Sequence, residues 1–282
     1  MIAFASNSLL CRLALKQTGI DAASFTLTRI LSGALTLWLI TYAKSSLMAD
    51  ESGSSFVTRY SPPQYGTWLS ALALFTYAAA FSFAYIDLSA GTGALLLFGA
   101  VQATMILWGL HKGERFDAIQ VVGFLVALTG LAVLIFPGLT APPLLDSILM
   151  VGAGVAWGIY SLRGKAVRDP VASTAGNFLR AIPFAAVISL ILLSRARVDQ
   201  AGLFYAVVSG AVTSGVGYVI WYSALSGLKA TSAATVQLSV PVIAAAGGII
   251  FLHEPLTLRY ILASVAVLGG IFLVIIEKRQ RT

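Results

Sequence analysis

Two arginines stand inside runs of apolar residues, in Phe25-Thr26-Leu27-Thr28-Arg29 and in Gly176-Asn177-Phe178-Leu179-Arg180. A cation at the centre of a membrane helix costs about 2.5–3.5 kcal/mol on insertion scales and is kept where it faces a cavity or a partner. Two roles stand open for Arg29 and Arg180: an electropositive lining that draws in the carboxylate or other anionic group of a substrate, or a clamp that snorkels to the nearer interface or ties helix-end carbonyls. Arg12, nearer a helix end, is expected to snorkel. The amides Asn7, Gln102, Asn177 and Gln237 also lie in apolar surroundings, where an unpaired polar group is costly, so they line a wet cavity or bond between helices. Tyr77 and Tyr218 are deep enough to stack on an amphiphilic substrate. Trp157, Tyr160 and Trp221 either join them or belong to an interfacial aromatic belt. These residues form the candidate substrate-binding set.

Other chemistries lack the residues they need. One cysteine, Cys11, excludes an internal disulfide and a cysteine-based metal site, and His111 and His253 are too far apart in sequence to suggest zinc. No HExxH, GxSxG or GxxxxGK[ST] motif occurs, so an embedded enzyme has no catalytic set and no metal or cofactor is expected. None of the acidic residues lies deep in an apolar run, which removes the usual intramembrane carboxylate of a proton relay and leaves downhill export or exchange. A structural or regulatory membrane subunit without transport activity is the alternative reading.

The elements that carry these residues must cross a bilayer. Of 282 residues, 58% are apolar and 10% charged, against roughly 25% charged in an ordinary soluble domain. The surplus apolar sequence has to face lipid. A net charge of +7 would raise the question of nucleic acid in a soluble protein, but here it reads as cytoplasmic loops at an anionic membrane face. With roughly 20 residues per span, helices are predicted near residues 2–17, 23–42, 66–86, 91–110, 116–136, 145–162, 171–193, 201–225, 231–252 and 257–276. Basic residues fall mostly in loops that share a side with the two termini, with Arg195 and Arg197 as the exception, so both termini are placed in the cytoplasm. Lys44 to Tyr65 is expected to be a solvated loop, and Pro137-Gly138-Leu139-Thr140-Ala141-Pro142-Pro143 to joint two halves, residues 1–137 and 138–282.

Shifting the chain by 140 positions aligns residues 84–136 with 224–276 and pairs Glu114 with Glu254 and Gly130 with Gly270. Five helices per half is odd, so the halves enter the membrane from opposite sides, as in secondary transporters whose sites lie between inverted repeats. Gly113-Glu114-Arg115 before an apolar helix, Leu252-His253-Glu254-Pro255-Leu256-Thr257 before the last, Val240-Pro241-Val242 and Ala156-Trp157-Gly158 resemble the EamA family of the drug/metabolite transporter superfamily. The resemblance covers essentially the whole chain. It departs at Val101-Gln102, which stands where the second half has Pro241, and at Ala5-Ser6-Asn7. It implies an all-α inner-membrane carrier of ten helices in two inverted five-helix repeats, a monomer or homodimer. Such a carrier exports or exchanges amino acids or related small metabolites by alternating access.

Overall fold

The computed structural model describes residues 1–52, 65–113, 115–136, 141–164, 167, 169–225 and 236–280, and over these the chain is all-helical. Helices α1 (Ile2–Gln17), α2 (Ala22–Ser52), α3 (Trp68–Ala84), α4 (Ala90–His111) and α5 (Ala118–Ile135) come first. They are followed by α6 (Leu144–Gly164) and α7 (Pro170–Ile191). Next comes α8, α-helical over Gln200–Val208, π-helical over Ser209–Val216 and α-helical again over Gly217–Leu225. The last two helices are α9 (Ser239–Leu252) and α10 (Leu258–Gln280). Seven helices, α2, α4 to α8 and α10, are long and apolar enough to cross a membrane. The others, α1, α3 and α9, have 16, 17 and 14 residues.

Helix starts explain where the acidic residues went. The carboxylates of Asp21, Asp117, Asp169 and Asp199 each accept from backbone N–H groups at the start of α2, α5, α7 and α8, where free donors and the helix dipole favour negative charge. Burial pushes the Asp21 carboxyl up, but bonds from Ser24, Arg197 and Ala23 outweigh it and hold the group below its ordinary value. Gln120 completes a capping box with Asp117 and also donates to the Val274 carbonyl at 3.2 Å, tying α5 to α10. Pro241 has no N–H for the Gln237 carbonyl, and the ninth helical segment is interrupted by a turn at Leu238.

One sequence expectation changes here. The stretch from Lys44 to Ser52, read as loop, continues α2, because a helix that has left the apolar layer needs no apolar side chains to keep its backbone bonds. The rest of that loop falls partly outside the described residues, at 53–64. The central joint, at 137–140, and Glu114 also fall outside them.

Helix α4 lies at the centre, with 56% of its apolar window buried, whereas α5 and α10 reach only 28% and 33% and present apolar rows outward. They pack against one another through glycine. A Cβ on Gly123 would stand 2.7 Å from the Gly270 carbonyl oxygen, and one on Gly130 would stand 2.8 Å from the Ala266 Cβ. Neighbouring Gly269 faces open space. Gly270→Val is therefore expected to lower stability by about 1–3 kcal/mol, while Gly269→Val leaves it nearly unchanged, as read from thermal unfolding in detergent.

Candidate functional site

Arg29 projects from α2 into the middle of the bundle and is 3% exposed. Its Nε donates to Ser214 Oγ at 3.3 Å and its Nη2 to the Tyr77 hydroxyl at 3.0 Å, while the guanidinium carbon lies 5.2 Å from the Tyr77 ring centre and 5.0 Å from that of Phe81. The rings stabilise the cation through their faces. Among the described residues Arg29 pairs with no carboxylate, and its Nη1 is buried without a hydrogen-bond partner. A buried guanidinium left with an unused donor is costly and marks a place where an acceptor belongs.

The neighbours of Arg29 are fixed by a polar chain across three helices. Asn7 of α1 donates to the Tyr77 hydroxyl at 3.3 Å and accepts from Ser209 at 2.6 Å and Thr213 at 3.3 Å. Ser209, Thr213 and Ser214 all belong to the π-helical stretch of α8; Ser209 and Thr213, four apart, share a face in any helix, and the widened turn brings Ser214 closer to that face. Close approach of α2 and α8 depends on Gly210, where a Cβ would collide with Ser32 Oγ and the Arg29 carbonyl.

An aromatic wall adjoins this chain. Trp157 of α6 has ring centres 4.7 Å from Tyr77, 5.2 Å from Tyr218 and 5.5 Å from Tyr160, on which it stacks. Phe4 meets Trp157, Tyr218 and half-buried Trp221 edge-on. Beyond Tyr160 lies a cavity of about 240 Å³ lined by Thr67, Ser70, Tyr160, Arg163, Thr174 and Asn177 among others. There Asn177 accepts from the Thr67 N–H at 2.9 Å and donates to the Tyr160 hydroxyl at 3.4 Å.

The candidates thus divide. Asn7, Arg29, Tyr77, Trp157, Tyr160, Tyr218 and, through Phe4, Trp221 gather in one core, and Asn177 joins it through Tyr160. Arg180 is placed differently from Arg29: it is half-buried, and its Nη1 donates to the carbonyls of Tyr65 and Gly176 at 2.9 and 3.0 Å, the backbone clamp of the two roles. Gln102 and Gln237 pair at 3.5 Å between α4 and the start of the ninth segment, and no described hydrogen bond links them to Arg29.

Sequence reasoning missed Phe4 and Phe81, which carry no contrast in an apolar helix, and Ser209 and Thr213, whose i, i+4 spacing on one helix face was the signal that could have found them. It also misplaced Arg12. That side chain does not snorkel but is buried, with Nε 3.3 Å from Glu254 Oε1 and Nη1 donating to the carbonyls of Tyr85, at 3.0 Å, and Ile86. The pair joins residues 242 positions apart, which local pattern cannot reveal.

Residues 145–276 match the model of the EamA-like transporter family. The chain is 52% identical over 281 residues to a Pseudomonas aeruginosa protein described as uncharacterized, covering 100% of this chain and 93% of that one. It is 28% identical over 220 residues to a probable amino-acid metabolite efflux pump of Escherichia coli, covering 72% and 73% of the two chains. An uncharacterized transporter of Archaeoglobus fulgidus is 24% identical over 294 residues, covering 99% and 96%. A solved crystal structure shares the fold with a TM-score of 0.62 at 16% identity, covering 99% of this chain and 98% of that one.

Tyr77 accepts from both Arg29 and Asn7, so Tyr77→Phe strips two buried donors of one acceptor. The variant is expected to lose about 1–3 kcal/mol, read as a lowered unfolding temperature of the purified protein.

Proposed function

The chain belongs to the EamA-like transporter family, and from that membership we propose that it exports or exchanges small metabolites, amino acids or related compounds, by alternating access. The observation that carries the site is the unused Nη1 donor of Arg29, whose guanidinium lies over the rings of Tyr77 and Phe81, with Trp157 and Tyr218 continuing the aromatic wall from Tyr77. A carboxylate takes that donor while an apolar or flat body lies on the rings. Asn7 and Tyr77 hold the guanidinium in place, and Tyr160 with Asn177 lines the approach from the 240 Å³ cavity. The amino-acid metabolite efflux pump among the relatives supports this class of substrate.

In this reading ten spans form two inverted halves, residues 1–137 and 138–282, in the bacterial inner membrane with both termini cytoplasmic. The α5–α10 crossing supports the repeat. Gly130 lies against Ala266 and Val267, and Gly270 lies against Ala127, which is Val267 shifted back by 140 positions. The same contact is made twice, once from each half. Export runs downhill or by exchange, since the carboxylates described at the helix starts are engaged as caps and Glu254 is engaged by Arg12. Arg180 and the Gln102–Gln237 pair shape the path rather than hold the anion.

Counterflow in liposomes preloaded with a panel of amino acids and related metabolites tests the proposal. Labelled substrate is expected to accumulate with wild type, to fall about 10-fold or more with Arg29→Ala, in line with loss of a charged hydrogen bond, and to fall less with Arg180→Ala. Transport unchanged in Arg29→Ala removes the site and keeps the carrier. No counterflow of any compound by folded wild-type protein counts against this substrate class.

A further inference from the structure

At the end of the bundle where α1, α3 and α9 finish and α4 begins, the Arg12–Glu254 pair is buried, its side chains only 10% and 7% exposed. Its geometry is built from the turn that follows α9. His253 adopts the left-handed conformation, φ 54° and ψ 35°, and the Glu254 N–H bonds back to the Gly248 carbonyl at 3.1 Å. This reversal sends the Glu254 carboxylate inward. Its Oε2 accepts from the Ala90 N–H at 2.8 Å, at the positive end of α4, and its Oε1 meets Arg12. Gly248 leaves the room, because a Cβ there would collide with the carboxylate. Arg12 in turn bonds the carbonyls that close α3. One cluster therefore fastens α1 and the α3–α4 turn to the α9–α10 turn.

Position relates this cluster to the site. Asn7 and Arg12 lie on the same helix five residues apart, about 7.5 Å along its axis, so the cluster sits roughly one and a half turns nearer the helix end than the network that holds Arg29. On its outer side is a cavity of about 180 Å³ lined in part by Asp87, Ser89, Thr92, Glu254, Thr257 and Tyr260. The opposite end is arranged differently. Arg163 follows Arg12 by 151 positions, the interval that separates Arg180 from Arg29. Its described partners are the hydroxyls of Ser70 and Thr67, at 2.9 and 3.2 Å, beside the 240 Å³ cavity. Both ends thus carry polar space, but at this end the buried ion pair stands between that space and the network around Arg29.

Energetics suit a contact that must part. A buried ion pair gains little net free energy over well-packed apolar groups, because desolvating the two charges offsets their attraction. When water enters, both charges are rehydrated and that cost is returned. An apolar seal of the same area gains nothing from water and would hold the mouth shut.

We propose that Arg12 and Glu254 gate this mouth, their ion pair forming when the mouth is closed and breaking each time the Arg29 site opens toward it. The inference rests on the alternating-access reading, but its test needs no substrate. Cys11, the sole cysteine of the chain, is fully buried on α1 between Asn7 and Arg12 and beside Ser82, below the pair. It reports opening. A membrane-impermeant maleimide is applied to intact cells and to inverted vesicles, so that each face is probed in turn, and alkylation of Cys11 is followed by mass spectrometry. Glu254→Gln is expected to speed alkylation at least 10-fold from the face where α1 ends, with no change from the other face. Arg12→Lys, which keeps the charge but cannot span Glu254 and both carbonyls, is expected to do the same and serves if Glu254→Gln does not accumulate folded. Alkylation at the wild-type rate in the variants overturns the gate, and acceleration from both faces equally overturns it in favour of general loosening. A negative counterflow result leaves either outcome readable.

Discussion

A guanidinium in the middle of an apolar bundle has to be surrounded by acceptors and ring faces that hydrocarbon does not supply. Meeting that requirement for Arg29 engages four helices. Tyr77 and Phe81 come from α3, Ser214 from α8, and Asn7 from α1 braces Tyr77. The requirement is met incompletely, since one N–H of the group is left over. In a protein that had only to be stable, a leucine at this place would avoid the cost altogether. Under the proposed function, the partner left over for that N–H is the anionic group of the substrate.

Around that core the chain uses two kinds of contact, distinct in composition. The crossing of α5 and α10 is made by glycine against backbone, without charge, and the Gln120 bond to Val274 reinforces it. Such contacts are short, dense and insensitive to water. The contacts at the two ends of the bundle are instead ionic or hydroxyl-mediated, as at Arg12 with Glu254 and Arg163 with Ser70 and Thr67. Water competes for contacts of this kind, so their strength depends on local hydration.

The sequence made legible whatever contrasts with its surroundings. Arg29, Asn7 and Tyr77 stand out because they are polar in apolar runs, and the core does assemble around them. Long apolar stretches announce helices for the same reason. What was not legible has the opposite character. Phe4 and Phe81 are apolar among apolar residues. The last turns of α2 are polar, as loops are, and only backbone bonding distinguishes them. Arg12 and Glu254 each lie near a helix end, where exposure to headgroups is the cheaper expectation, and the left-handed turn at His253 that turns Glu254 inward leaves no mark in residue type. Arg29 and Arg180 look equivalent by position, yet the Tyr65 carbonyl is within reach of only Arg180.

The π-helical stretch of α8 has a consequence for how this chain tolerates change. In a regular helix each residue turns the path by about 100°, so the wide turns over Ser209–Val216 set the angular position of everything that follows. Tyr218 meets Trp157 and Phe178 because of that accumulated rotation. A wide turn holds more residues for the same rotation, so the stretch lets α8 carry extra residues without turning Tyr218 away from Trp157 and Phe178. Most of its members are small and bear no charge, and individual replacements there alter local packing. Identity matters there as much as number: Ser209, Thr213 and Ser214 supply the hydroxyls that meet Asn7 and Arg29, and Gly210 alone leaves room for the α2 backbone, so a segment that reads as bland filler is among the least replaceable of the chain.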